Sequence, residues 1–268
     1  MYLRAAHAEL RIPALLEFIR ENPLGILTTA IHSPNFPLLQ CSHIPWVLDT
    51  LDASNLEDPG ESNESQQIYG RLRGHMARAN PHSKALIEYY NSHQKAQNDI
   101  AADPVQLKEE VMVLFNHPLH HYITPKFYTT TKPTTGKVVP TWNYAAVQVY
   151  GNLTLYCSPS PETHAFLSKQ IHDLSHQSET QTMGYERPWQ VSDAPDRYVE
   201  LLKKSIIGVE VEVRRIEGKF KMSQELGEKD REGVVAGFNN LGTDAGKEMA
   251  DLVRERAEIK AAQKEAKS

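Results

Sequence analysis

The sequence predicts an α+β protein built on an antiparallel sheet or barrel, and three observations carry that reading. Strand-like alternation recurs along the chain, helix-start signals fall in the connections and at the ends, and the alternating helix and strand units of a doubly wound fold are missing. With 268 residues, 40% hydrophobic and 24% charged, the chain is ordinary for a globular protein and long enough for a substantial core. It reads as one compact domain over 1–242 followed by a helical tail over 243–268.

Each element has its own signal. Leu10, Ala14, Leu15, Phe18 and Ile19 recur at helical spacing, so a helix is predicted from Ala8 to Glu21, stopped by ENPLG. Charges inside every apolar patch of MYLRAAHAELRIPALLEFIR argue against a secretory signal, and no apolar run approaches the ~20 residues of a spanning helix. A cytoplasmic protein without membrane contact is expected. GILTTA and PLLQCSHIPWVLD flank the turn HSPNFP as a first hairpin, and the acidic, polar stretch 51–67, with Pro59 and Gly60, reads as a flexible surface insertion.

In IYGRLRGHMA, residues 68–77, alternation puts Ile68, Leu72 and Met76 on one face and Tyr69, Arg71, Arg73 and His75 on the other. Asn80 and Pro81 then open a helix as N-cap and first helical residue. VMVLFN suits a buried central strand and leads into the His-rich turn HPLHHYITPKFY and the hydroxyl-rich loop TTTKPTTGKVVPTWN. YAAVQVYGNLTLYC has the cleanest alternation, with Val147, Val149, Leu153 and Leu155 on one face. Ser160 and Pro161 start an amphipathic helix, DAPDRYVELLKKS a short one, and IIGVEVEVRRIEGKFKMSQ supplies a long strand with a turn at Gly218. From Asp230 the chain reads as helical, with frayed final residues.

Composition narrows the chemistry. Cys41 and Cys157 lack zinc spacing and are expected as free thiols. A net charge of −5 with scattered Lys and Arg argues against direct nucleic-acid binding. There is no GxGxxG, P-loop, GxSxG or HExxH. Four constellations remain. His75 is either an iron ligand or proton-transfer group, or a hydrogen-bonded structural residue, and Arg71 and Arg73 beside it suit propionates or a phosphate. His117, His120 and His121 with Tyr122, Lys126 and Tyr128 form either part of a metal site or a polar turn. Trp142 and Tyr144 either stack on a planar cofactor whose edge bonds Thr141 and Asn143, or Trp142 plugs a barrel end. Lys219 and Lys221 either hold an anion or form a solvated face.

GRLRGHMARANP, VPTWNYAAVQVYG, DAPDRYVELLKKSIIGVEVEVRRIEGKFKMSQ and DREGVVAG resemble the PaiB family of FMN-binding negative transcriptional regulators, in order and over nearly the whole chain. That resemblance implies a split β-barrel of the pyridoxamine phosphate oxidase type with peripheral helices and a C-terminal helix, working as a homodimer with cofactor sites at the subunit interface. The insertion at 51–67 and the long HPLHHYITPKFYTTTKPTTGK segment resemble fungal members. The same pattern includes piperazate synthases, heme enzymes that close the N–N bond of a cyclic hydrazine from N5-hydroxyornithine. Their axial histidine stands in the GHMxRANP motif, which implies that His75 binds the iron of heme b. By the same resemblance, Arg71, Arg73 or Arg78 would neutralise propionates and Lys219 or Lys221 would position or deprotonate an amino-acid-like substrate. His120 joins Thr141, Trp142 and Asn143 as a candidate for the cofactor wall. The alternative is FMN, with the isoalloxazine near Trp142 and the phosphate on the arginines and hydroxyls, in an oxidoreductase or a regulator.

Overall fold

A computed structural model describes residues 1–50, 67–97 and 104–265, so the predicted insertion at 51–67 lies, except for Gln67, outside the described residues. In chain order the elements are β1 (Ala8–Glu9), α1 (Ile12–Glu21), β2 (Leu24–Ala30), β3 (Leu39–Pro45), β4 (Val47–Asp49), β5 (Gly70–Ala77) and α2 (Pro81–Gln97). After these come β6 (Val105–Gln106), β7 (Val111–Asn116), β8 (His121–Ile123), α3 (Thr131–Thr135), β9 (Thr141–Tyr156) and α4 (Pro161–Gln177). The chain ends with α5 (Asp196–Lys204), β10 (Ile206–Lys221), α6 (Glu228–Asn239) and α7 (Asp244–Glu265).

The strands pair along the path β3–β2–β7–β9–β10–β5–β4, with β1 on β10 and β6 and β8 on β9. Connectivity makes this sheet curl. β3 and β4 stand at opposite ends of the path, yet only Trp46 separates them in sequence. One residue reaches at most about 3.6 Å, so the two ends must meet. The seam is packed: a Cβ on Gly74 of β5 would come within 2.7 Å of the Ile44 side chain of β3, and Trp46 is 1% exposed. The fold is the α+β split barrel that the sequence predicts.

By contacts the chain divides into two units. One holds Met1–Leu16, Asn116–Val147 and Glu217–Ser268, and the other, the barrel unit, holds Glu17–Phe115 and Gln148–Ile216. Alternation fills the barrel with Leu27, Leu72, Val113, Phe115, Val149, Leu153, Val209 and Val211, all fully buried. The first unit buries Ile123, Val234, Phe238, Met249 and Val253. No helix among the described residues is long and apolar enough to cross a membrane.

Cap signals hold where they were read: Asn80 Oδ1 accepts the His82 N–H at 3.0 Å, and Ser160 Oγ accepts the Thr163 N–H at 3.1 Å. Two expectations need correction. The first helix starts at Ile12, with Pro13 in its first turn where a missing N–H costs nothing, while Ala8 and Glu9 pair with Lys219 and Gly218 and leave Leu10 exposed. Gly218 makes no turn. It sits inside β10, and its missing side chain admits Leu15, whose Cδ2 would lie 2.1 Å from a Cβ there. The C-terminal helix α7 is packed, with Met249, Ala250 and Val253 fully buried and Arg256 lying 3.6 Å over the Phe220 ring and bonded to Glu9.

The register of β9 against β10 has a direct test. A Cβ on Gly151 would stand 1.8 Å from the Glu212 carbonyl oxygen, and backbone cannot swing aside as a side chain can. Gly151→Ala is expected to lower unfolding free energy by about 1–3 kcal/mol or more in urea titrations. An unchanged midpoint would contradict this packing.

Candidate functional site

In the barrel unit, Arg71, Arg73 and His75 share a face of β5 as predicted, but they meet different surroundings. Arg73 is 3% exposed, and a cation there must be paired. Its Nη2 donates to Asp49 at 2.9 Å and Asp173 at 2.7 Å, and its Nη1 donates to Gln170 at 3.3 Å. Burial would raise the Asp173 carboxyl, but hydrogen bonds from Lys169, His172 and Arg73 outweigh it and hold its pKa at about 2. Arg73 therefore clamps α4 onto β4 and β5 and has no edge left for a ligand anion. Arg71 is exposed, in register with Asp49.

His75 is half-buried, and its Nδ1 is buried without a hydrogen-bond partner. Burial lowers its pKa, so the imidazole is neutral at neutral pH. Opposite it in β10 stands Gly208, where a Cβ would meet Phe166 of α4 at 2.5 Å, and Phe166 stacks on Tyr156 at 3.9 Å between centroids. Arg78, beyond the strand, donates from Nη2 to the Cys157 carbonyl at 2.5 Å and faces a cavity that His75 does not line.

Sequence reasoning missed His82. It is 1% exposed, with Nε2 2.9 Å from Thr29 Oγ1 and Nδ1 3.0 Å from Ser42 Oγ, and Asn80 donates to the same serine at 3.2 Å. Burial pushes its pKa down to about 4. Its place in the first turn of α2 was visible, but nothing local marks Thr29 or Ser42 as partners.

The first unit joins two motifs that lie far apart in sequence. Lys221 Nζ donates to Thr141 Oγ1 at 2.5 Å and to the Trp142 carbonyl at 2.8 Å. Burial lowers the Lys221 pKa, with Lys219 and Arg4 adding to the effect and Glu225 opposing it. The Trp142 ring is 52% exposed, 5.9 Å from Tyr122 and 6.1 Å from His120 between centroids. Trp142 is therefore no plug. Lys219 stands 5.4 Å over the Tyr144 ring. Asn143 is fully buried on the opposite face of β9 from Trp142, so it cannot bond the edge of a ring stacked on Trp142. Its Oδ1 accepts from Ser223 Oγ at 3.2 Å, its Nδ2 has no partner, and Ser223 is held at φ 63, a left-handed backbone that serine rarely adopts. Backbone strain at Ser223 and an unmet donor at Asn143 thus meet at one junction.

The clustered histidines go separate ways. His117 Nδ1 accepts the Leu119 N–H at 3.1 Å, His121 packs edge-on against Phe238, and His120 faces Trp142. Among the described residues no group of three His, Cys, Asp or Glu side chains is placed to hold a metal ion. Neither Cys41 nor Cys157 forms a disulfide.

A family model described as "Putative FMN-binding domain" matches residues 1–215. The chain belongs to this FMN-binding family. It is 61% identical over 261 residues to an uncharacterized protein of Emericella nidulans, covering 97% of this chain and 99% of that one. It is 27% identical over 257 residues to the protease synthase and sporulation protein PAI 2 of Bacillus subtilis, covering 95% of each. Among solved structures, a conserved hypothetical protein from Mycobacterium tuberculosis superposes with a TM-score of 0.44 at 12% identity, over 85% of this chain and 95% of that one. In this PaiB-type member of the FMN-binding family, the GHMARANPH stretch carries two histidines of opposite character. His82 has both ring nitrogens engaged, whereas His75 has none.

That contrast predicts a pH dependence. The folded protein keeps His82 neutral down to about 4, whereas the unfolded chain protonates it near 6.5. Its contribution is therefore complete above pH 6.5 and is lost as pH falls toward 4, up to about 3 kcal/mol in all. Urea midpoints of the wild type should fall more steeply over this window than those of His82→Asn. Parallel slopes would contradict the assignment.

Proposed function

We propose that this protein is a heme enzyme of the piperazate-synthase type, in which His75 binds the iron and an N-hydroxylated diamino acid such as N5-hydroxyornithine is cyclised through a new N–N bond. One observation supports this reading above the others: His75 is a neutral imidazole that no protein group engages. Ligation needs that state, since an imidazolium has no lone pair to give and a ring nitrogen that already accepts a hydrogen bond has none free. Arg71, exposed on the same strand face, is the arginine left for a propionate, because Arg73 is committed to carboxylates and Arg78 faces a cavity that His75 does not line. Bound heme would supply a Lewis-acidic iron for the hydroxylamine oxygen.

The reaction loses one water and involves no net redox change. The substrate's α-ammonium must shed a proton before it can attack nitrogen. Within one chain Lys221 lies 13 residues along β10 from Gly208, the residue paired with His75, so we assign that proton to Lys221 of a second copy in the homodimer. Two of the Lys221 hydrogens are directed at Thr141 and the Trp142 carbonyl, and burial favours its neutral form, whose lone pair can take the proton. Lys219, held over Tyr144, is assigned to the substrate carboxylate. The working species in this proposal is a homodimer, for which light scattering should report twice the chain mass. A second reading, an FMN-binding oxidoreductase or regulator, is favoured by the family match and by the exposed Trp142 ring with its flanking Tyr122 and His120.

The test is turnover. Hemin-loaded protein given N5-hydroxyornithine should form a cyclic product one water lighter, seen by mass spectrometry. Lys221→Met should keep the heme absorption and lose about 100-fold or more in kcat. Protein that yields no cyclic product with heme bound would refute the assignment.

A further inference from the structure

Helix α4 carries two histidines one turn apart, His172 and His176. Both rings are exposed, their planes lie within 9° of parallel, and their centroids are 6.5 Å apart. We propose that this pair binds a divalent transition-metal ion of borderline softness, such as Zn²⁺, Ni²⁺ or Cu²⁺, with water completing its coordination. The site is independent of the cofactor assigned to His75.

Spacing is the first support. Residues four apart on a helix stand over one another, with about 5–6 Å between Cβ atoms, so both imidazoles can turn a nitrogen toward one ion. α4 is regular from Pro161 to Gln177, and the bond from Arg73 to Asp173 holds it on the sheet, so the backbone beneath the pair is fixed. Rotation of two exposed rings is all that convergence requires, and no packed group has to move.

The second support is the orientation of His172. Its Nδ1 lies 3.1 Å from Asp173 Oδ1. That carboxyl, with a pKa of about 2, is an anion at neutral pH and can only accept, so in the neutral imidazole the hydrogen sits on Nδ1. Nε2 is then the lone-pair nitrogen, and a carboxylate behind a histidine is the arrangement that orients a metal-binding ring and makes it more basic. Oδ1 is available for this because Arg73 and Lys169 both bond the other oxygen, Oδ2, at 2.7 and 2.5 Å. The same bond draws the Lys169 charge, one turn before the pair, onto a carboxylate.

Nitrogen donors decide the ligand class. Mg²⁺ and Ca²⁺ take oxygen ligands, whereas Zn²⁺, Ni²⁺ and Cu²⁺ accept imidazole, with Cu²⁺ the tightest in the general order of affinity. No cluster of three ligating side chains exists among the described residues, so two protein ligands imply micromolar binding and not a closed structural site. A bound ion would also polarise the His172 Nδ1–H toward Asp173, which joins the site to the clamp that holds α4 on β4 and β5.

Isothermal titration of the chelator-stripped full chain with Zn²⁺, Ni²⁺, Cu²⁺ and Mg²⁺ tests this. The first three should bind with one equivalent each in the micromolar range, and Mg²⁺ should not bind. His172→Gln and His176→Gln change exposed rings, so both should fold as the wild type does, and each should weaken Zn²⁺ about tenfold or more. His43→Gln, at an exposed histidine of β3, should leave binding unchanged. Electron paramagnetic resonance of the Cu²⁺-loaded chain should show coupling to two imidazole nitrogens, and Zn²⁺ should raise the melting temperature of the wild type more than that of either variant. No binding of Zn²⁺, Ni²⁺ or Cu²⁺ in the micromolar range, Zn²⁺ binding unchanged in His172→Gln or His176→Gln, or Mg²⁺ binding as tightly as Zn²⁺ would overturn the proposal.

Discussion

A buried arginine organises the barrel unit. Once β5 turns Arg73 inward, its guanidinium cannot stay unpaired, and removal of a partner from such a cluster costs about 3–5 kcal/mol. Asp49 of β4 and Asp173 with Gln170 of α4 meet that demand together. The clamp sets where α4 lies, and two features follow from it. The sheet face that carries His75 is partly withdrawn from water, which keeps the imidazole neutral. The same helix presents His172, which shares Asp173 with the clamp.

Closure of the barrel works alongside this clamp. The single-residue step through Trp46 forces the sheet ends together, and small residues allow the close approaches that follow. Gly74 admits Ile44 at the seam, and Gly208 admits Phe166 beside the position of His75. Side chains at these glycines would push apart the surfaces that shape the histidine's surroundings. In the first unit, Ser223 accepts a strained backbone and Asn143 an unmet donor, while Lys221 leans on the start of β9. A scaffold that tolerates such local cost is one whose packing elsewhere holds it in place.

Much of this was legible in sequence because it is local. Alternation in GRLRGHMA placed Arg71, Arg73 and His75 on one face, and Asn-Pro and Ser-Pro pairs marked the starts of α2 and α4. Periodicity cannot choose distant partners. Arg73 bonds residues 24 and 100 positions away, and Lys221 reaches back 80 positions to Thr141. Without those partners, Arg73 reads as a free cation ready for a ligand anion, and Gly218 reads as a turn although its small size serves Leu15. His82 was invisible for the same reason, since its buried state depends on Thr29 and Ser42 in other strands.

The central claim is that His75 stands unengaged because it serves a cofactor. Electron paramagnetic resonance of the ferric heme-loaded protein tests it most directly, comparing wild type with His75→Gly before and after addition of free imidazole. An imidazole-ligated signal in the wild type, absent in the variant and restored by imidazole, is the expected result. The same signal in His75→Gly without imidazole, or a wild type that takes up FMN and no heme, would contradict it.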